Sequence, residues 1–152
     1  MIRLFFSFRG RINRGKYWLV VGVCMLGSIL IALGFVFFEL DSFGILLGFL
    51  ASALLLISAM ASGVKRLHDR DKSGWWLLFY WAGSGIFQGV GDALGGEGFA
   101  IVWYIASALV SISMLVDLGI LRGTAGPNHY GADPLRNRTE LESTVLVGGE
   151  RS

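Results

Sequence analysis

Charge is what this sequence has least of: 16% of its 152 residues are Asp, Glu, Lys or Arg and 54% are apolar, where an ordinary soluble domain carries about 25% charged residues. A water-soluble single core does not fit that balance. The lone cysteine, Cys24, has no partner for an intramolecular disulfide and cannot build a thiolate metal site. It lies inside an apolar run, where a small buried side chain is its expected role. Two prolines and no low-complexity run give no sign of a second domain.

The charges that are present avoid four stretches. Residues 17–38 and 43–64 each run for 22 positions without one, about 33 Å of helix against a hydrocarbon core of about 30 Å. Residues 75–91 form a shorter uncharged run of 17 with an aromatic start, and residues 99–121 carry only Asp117. Glycine, an aromatic interfacial end and a terminal acid are tolerated in membrane helices, so four transmembrane spans are expected. The first is too long for the apolar region of a secretory signal, and the residues around Glu39 and Asp41 offer no small-residue cleavage site, so it is expected to be retained.

Orientation follows from counting charges in the exposed pieces. Arg3, Arg9, Arg11, Arg14 and Lys16 precede the first span; Lys65, Arg66, Arg70 and Lys72 lie between the second and third; Arg122, Arg136, Arg138 and Arg151 follow the fourth. All 13 bases therefore fall on one side of a four-span arrangement, while the other loops hold only Glu39, Asp41, Asp92 and Glu97. Positive residues are retained on the cytoplasmic side, which puts both termini there. The expected organisation is an all-α, four-helix membrane bundle: an interfacial segment 1–16, the transmembrane domain 17–121, and a cytoplasmic loop and disordered tail over 122–152. Gly44, Gly48 and Ser52, then Gly85 and Gly89, then Ser107 and Ser111 recur four apart, as small residues do where membrane helices approach closely. Such faces also allow a homo-oligomer or a membrane-protein partner.

Three polar motifs collect on the basic side. The first, Phe8-Arg9-Gly10-Arg11-Ile12-Asn13-Arg14-Gly15-Lys16-Tyr17-Trp18, follows an N-terminus in which apolar residues and arginines alternate, as a segment in the headgroup layer requires. Its bases either hold lipid phosphate or only orient the chain, with Tyr17 and Trp18 as belt residues. The second, Lys65-Arg66-Leu67-His68-Asp69-Arg70-Asp71-Lys72-Ser73-Gly74-Trp75-Trp76, is denser in charge than orientation needs. Asp71 or Ser73 is suited to cap the third helix, and His68 beside Asp69 suggests a proton-handling pair, although adjacent helical residues point about 100° apart. A network of salt bridges and caps is the plainer alternative. The third, residues 123–134, is a Gly-, Pro- and Asn-rich turn segment suited to fold back on the second. His68, Asp69, His129 and Asp133 would then approach one another, but no two have a metal-ligand spacing such as H-x-x-x-H, so no metal is expected. Asp117, the acid inside a span, needs a partner. Lys65, Arg66, Arg14 and Lys16 are at suitable depth.

Taken together the motifs resemble the bacterial inner-membrane family catalogued as domain of unknown function 805. Its pattern F-x-G-R-x-x-R-x-x-Y-W stands here from Phe8 to Trp18, R-L-H-D-x-x-x-S-G-W from Arg66 to Trp75, and N-x-Y-G-x-D-P from Asn128 to Pro134. The resemblance spans most of the chain and implies a small multi-pass inner-membrane protein without indicating an activity. His129 falls at a free position of the pattern.

The expected function is non-enzymatic: membrane lipids surround the protein, and its cytoplasmic face binds an anionic partner, a phospholipid headgroup or a protein segment. The candidate residues are Arg11, Arg14, Arg66, His68, Asp69, Arg70, Ser73, Trp75, Asn128, Tyr130 and Asp133. A small transporter or channel subunit would want polar or broken helices near the midplane, where only Gln88, scattered serines and the more terminal Asp117 are available. A membrane-embedded enzyme acting on a lipid-linked substrate would need a nucleophile with an adjacent base, and none is recognisable. No cofactor, catalytic residue or nucleic-acid partner is expected, since juxtamembrane bases already have a reason to be there.

Overall fold

Asn13 and Asp41 begin the two longest helices by the same device, a side-chain oxygen accepting a backbone N–H of the first turn, from Lys16 at 2.9 Å and from Gly44 at 2.8 Å. The computed structural model describes residues 2–38, 41–94 and 100–135, and every regular element among them is helical. A short α1 (Ile2–Phe6) is followed by α2 (Arg14–Phe37), α3 (Ser42–Asp69), α4 (Trp75–Leu94) and α5 (Ala100–Leu115), which runs on as one π-helical turn, Val116–Ile120. The expected tail beyond Leu135 lies outside the described residues.

Three helices are long and apolar enough to cross a membrane: α2, α3, and α5 with its π turn. The fourth, α4, has 20 residues, about 30 Å of helix, but Trp75, Trp76, Tyr80, Gln88 and Asp92 dilute its apolar character. Leu26, Leu50, Ile101 and Leu109 are all more than half exposed. Faces of that kind would be untenable in water and are what hydrocarbon requires.

α2 packs on α3 and α4 on α5, two antiparallel hairpins. At the far end Phe35 covers Gly48, and Tyr104 closes on Gly91 and hydrogen-bonds Asp92 at 2.6 Å. Contact between the hairpins is made by the π turn against α2 and α3, and by α3 against α4. There Leu77 lies over Gly63, where a Cβ would stand only 3.0 Å from its Cδ1. The buried cluster of Ile12, Tyr17, Leu67, Leu77, Tyr80 and Leu118 is gathered at this same end. Of the small residues spaced for close packing, Gly48 meets Phe35 and Ser107 donates to the Ser84 carbonyl at 3.0 Å, but Gly85 and Gly89 face open space. Rotation of α4 about its axis, which spacing does not specify, turns Gly83 and Gly91 toward α5 instead.

Candidate functional site

A helix ends with carbonyls that have no intrahelical partner and with the negative end of its dipole. At the π turn this end is met by side chains from both earlier motifs. The Leu118 carbonyl accepts from Arg66 Nε at 2.8 Å, Gly119 from Trp18 Nε1 at 3.1 Å and Ile120 from Arg14 Nη1 at 2.9 Å. Leu121 accepts from Arg66 Nη2, and Asp117 from Arg70 at a longer 3.4 Å. The wider turn, closed by the Leu121 N–H on the Val116 carbonyl at 3.0 Å, splays these oxygens apart. Gly119 is required by the approach of Trp18, whose Cζ2 would lie 2.6 Å from any Cβ there.

Asp69, at the end of α3, is the second node. Its carboxylate accepts from Arg11 Nε at 3.0 Å and from Arg66 Nη1, so two guanidinium groups share one acid in a region where all three side chains are at most 5% exposed. The remaining donors of Arg11 reach the carbonyls of Thr124 and Gly126, both at 2.6 Å, and of Gly131 at 3.2 Å. Thr124 returns two bonds to the Asp69 carbonyl, from its N–H at 2.8 Å and its hydroxyl at 3.1 Å. Gly123 lies so close that a Cβ would stand 2.5 Å from Asp69 Cγ. Arg11 thus straps the N-terminal segment, α3 and the third motif into one unit. Lys65, also buried, reaches back to the carbonyls of Leu4 and of Arg3, the latter at 3.2 Å.

The second motif leaves α3 through a Schellman turn, in which the Lys72 N–H bonds the Leu67 carbonyl at 2.9 Å and the Asp71 N–H that of His68 at 3.1 Å. Asp71 takes the left-handed position, φ +58°, which aspartate tolerates better than most residues. The turn brings Arg70 and Lys72 onto Asp117, one to each oxygen, and Tyr80 donates its hydroxyl to Oδ2 at 2.7 Å. These partners replace the expected Lys65, Arg66, Arg14 and Lys16. Depth alone suggested those four, but each is held by a backbone carbonyl or, for Lys16, lies exposed on the outer face of α2. Lys72 also stands over the Trp76 ring, 5.4 Å from its centroid.

His68 and Asp69 do not pair. The imidazole turns to the Gly10 carbonyl, Nδ1 at 3.3 Å, and stacks on Tyr130 with centroids 3.9 Å apart and planes 5° from parallel. Asn128 donates to the His68 carbonyl and to Thr124 Oγ1, both at 2.9 Å, and its Oδ1 accepts from the Tyr130 N–H at the same distance. Asp133 accepts from the N–H groups of Gly126 and Leu135 at 2.9 Å each. The exposed His129 sits on Asp71 at 3.0 Å, so Asp71 is not the cap of α4. Ser73 makes that contact, Oγ to the Trp75 N–H, at a long 3.4 Å. Trp75 itself is 76% exposed, outside the network.

An open space borders this knot on the side of residues 122–135. A cleft of about 390 Å³ is walled by Asn13, Arg14, Arg122 and Thr124, with Arg66 and Asp69 at its floor and Asp133 among its lining. Arg122 is exposed and has no partner among the described residues. The sequence marks it only as a base following a span, and it places Lys72, Gly123 and Thr124 inside the motifs without singling them out, while Tyr80 stands outside them. The adjacent Arg122-Gly123-Thr124 after the last apolar run was the available signal.

The family model described as Protein of unknown function (DUF805) matches residues 5–132, all three motifs included except the last two positions of the third. Uncharacterized protein YiiR of Escherichia coli (strain K12) is 34% identical over 132 residues, covering 84% of this chain and 86% of the relative. Inner membrane protein YhaI of the same strain is 25% identical over 138 residues, covering 88% and 91%. No solved structure matches. With its apolar helices of membrane length, its motifs gathered at one end and this match over most of its length, the chain belongs to the DUF805 family and is a multi-pass protein of the bacterial inner membrane.

Proposed function

We propose that the chain crosses the bilayer four times, with its basic end in the cytoplasm, and that this end binds an anionic phospholipid headgroup without catalysing a reaction. The fourth crossing would be α4, whose length of about 30 Å suffices and which runs antiparallel to α5. An even number of crossings is supported by the bonds from Arg11 to Thr124 and Gly126, which hold the residues before the first span and after the last at the same end. Tryptophans 18, 75 and 76 stand at that end, the usual place of an aromatic belt.

The observation that carries the binding proposal is the contrast among the arginines. Arg11 and Arg66 have protein acceptors around the whole guanidinium, whereas Arg14 and Arg122 border an open cleft at headgroup level. Native mass spectrometry of protein released from membranes tests it. Retention of phosphatidylglycerol or cardiolipin above its share of the membrane lipid is the expected result. Lipid carried only in proportion to membrane composition would defeat the proposal.

A further inference from the structure

We infer that the cleft between the start of α2 and residues 122–135 is a phosphate site in which Arg14 and Arg122 are the ligating groups, an inference that rests on the proposed anion-binding role of this end. The volume, about 390 Å³, is at the small end of ligand pockets and suits a phosphate with its immediate substituents better than a large head. Donors from two parts of the chain line it. Arg14 gives one N–H to the Ile120 carbonyl, and a guanidinium has five, so most of its fork is open. Arg122 has no partner among the described residues, and the Asn13 amide nitrogen has none either, its oxygen alone being engaged as the cap of α2. Both arginines line the same cleft, and a planar guanidinium can take two oxygens of a phosphate, a geometry that lysine does not offer.

The acids along the cleft do not oppose this. Both oxygens of Asp69 are turned onto Arg11 and Arg66, and those of Asp133 receive the N–H groups of Gly126 and Leu135. Three arginines therefore face two aspartates within the lining, and both aspartates are already compensated. Thr124 is not a further ligand, because its hydroxyl donates to the Asp69 carbonyl and accepts from Asn128. The positive charge left without a carboxylate is at Arg14 and Arg122, both exposed and both lining the cleft.

The phosphate can belong to a lipid headgroup or be free in the cytoplasm, and the test separates the two. Full-length protein in a neutral detergent is titrated with dioleoylphosphatidylglycerol, with dioleoylphosphatidylcholine, and with inorganic phosphate, and binding is followed by native mass spectrometry and thermal shift. Wild type should take up phosphatidylglycerol, phosphate or both in preference to phosphatidylcholine. Arg122→Gln should weaken that uptake roughly tenfold, as expected for loss of one charge-assisted fork, and Arg122→Lys should recover only part of it. Because Arg122 supports nothing else among the described residues, the variant's own melting temperature without added probe should match wild type, whereas Arg14→Gln also loses the Ile120 contact. Unchanged phosphatidylglycerol and phosphate binding in Arg122→Gln and in the Arg14→Gln, Arg122→Gln double variant would overturn this site while leaving anionic binding at this end standing. No preference of wild type for either anionic probe would overturn both.

Discussion

At the scale of single residues, Asp117 and Asp69 show how differently two acids at one end of a bundle can be supported. Asp117 is 10% exposed and holds Arg70, Lys72 and the Tyr80 hydroxyl. Replacing it by Asn keeps the shape but leaves two cations facing an amide that also carries donors. Asp117→Asn is therefore expected to lower the stability of the detergent-solubilised protein by about 3 kcal/mol, the lower end of the range for breaking a buried pair, because Lys72 retains 31% exposure. His129→Ala removes only a surface contact to Asp71 and should cost under about 1 kcal/mol. Thermal melting of both variants checks the contrast, and equal losses would mean that Asp117 is solvated. From the sequence Asp117 was recognisable as an acid needing a cation, but which cation depended on the Schellman turn at Asp71. That turn is set by a left-handed aspartate, where glycine would have been the readable signal.

At the scale of elements, the π turn is where the two hairpins are joined. Five successive carbonyls, from Asp117 to Leu121, accept side-chain donors that arrive from α2, from α3 and from the residue just past α3. Three of the bases at this end, Arg14, Arg66 and Arg70, therefore close a helix end. Gly119→Ala tests the packing, since its Cβ would stand 2.6 Å from Trp18 Cζ2 and must displace an indole that caps the turn. A loss of roughly 1 to 3 kcal/mol is expected from overpacking of this kind. Gly85→Ala, at a helical position with nothing within 4 Å, should instead be neutral or raise stability by up to about 1 kcal/mol. Melting temperature together with Trp18 fluorescence distinguishes them. Similar behaviour of the two variants would show that the indole does not pack on the turn.

At the scale of the whole molecule, the question is whether α4 crosses the membrane. With four crossings, a periplasm-active reporter inserted near Asp41 or near Gly95 is expected to be active, and one placed after Leu135 silent. If α4 stayed on the cytoplasmic side, the Gly95 insertion would be silent and the C-terminal fusion active. The second pattern would also break the contact between Arg11 and the third motif, because their segments would lie on opposite faces of the bilayer.

What the sequence by itself determined is the environment. Exclusion of charge from long apolar runs is a one-dimensional property, imposed by the cost of placing an ion in hydrocarbon, and it was legible without coordinates. The three motifs were legible too, as residues too dense and too ordered for orientation alone. Only the tertiary structure decided their use. It turned Arg11 and Arg66 inward onto Asp69 and onto carbonyls, assigned Asp117 to Arg70 and Lys72, stacked His68 on Tyr130 instead of pairing it with Asp69, and left Arg14 and Arg122 beside a cleft. The physical reason is that the donors of a guanidinium can be taken up by lipid phosphate, by a carboxylate or by helix-end carbonyls. The choice among them is made by helix rotation and turn conformation, which bring acceptors to one arginine and keep them from another.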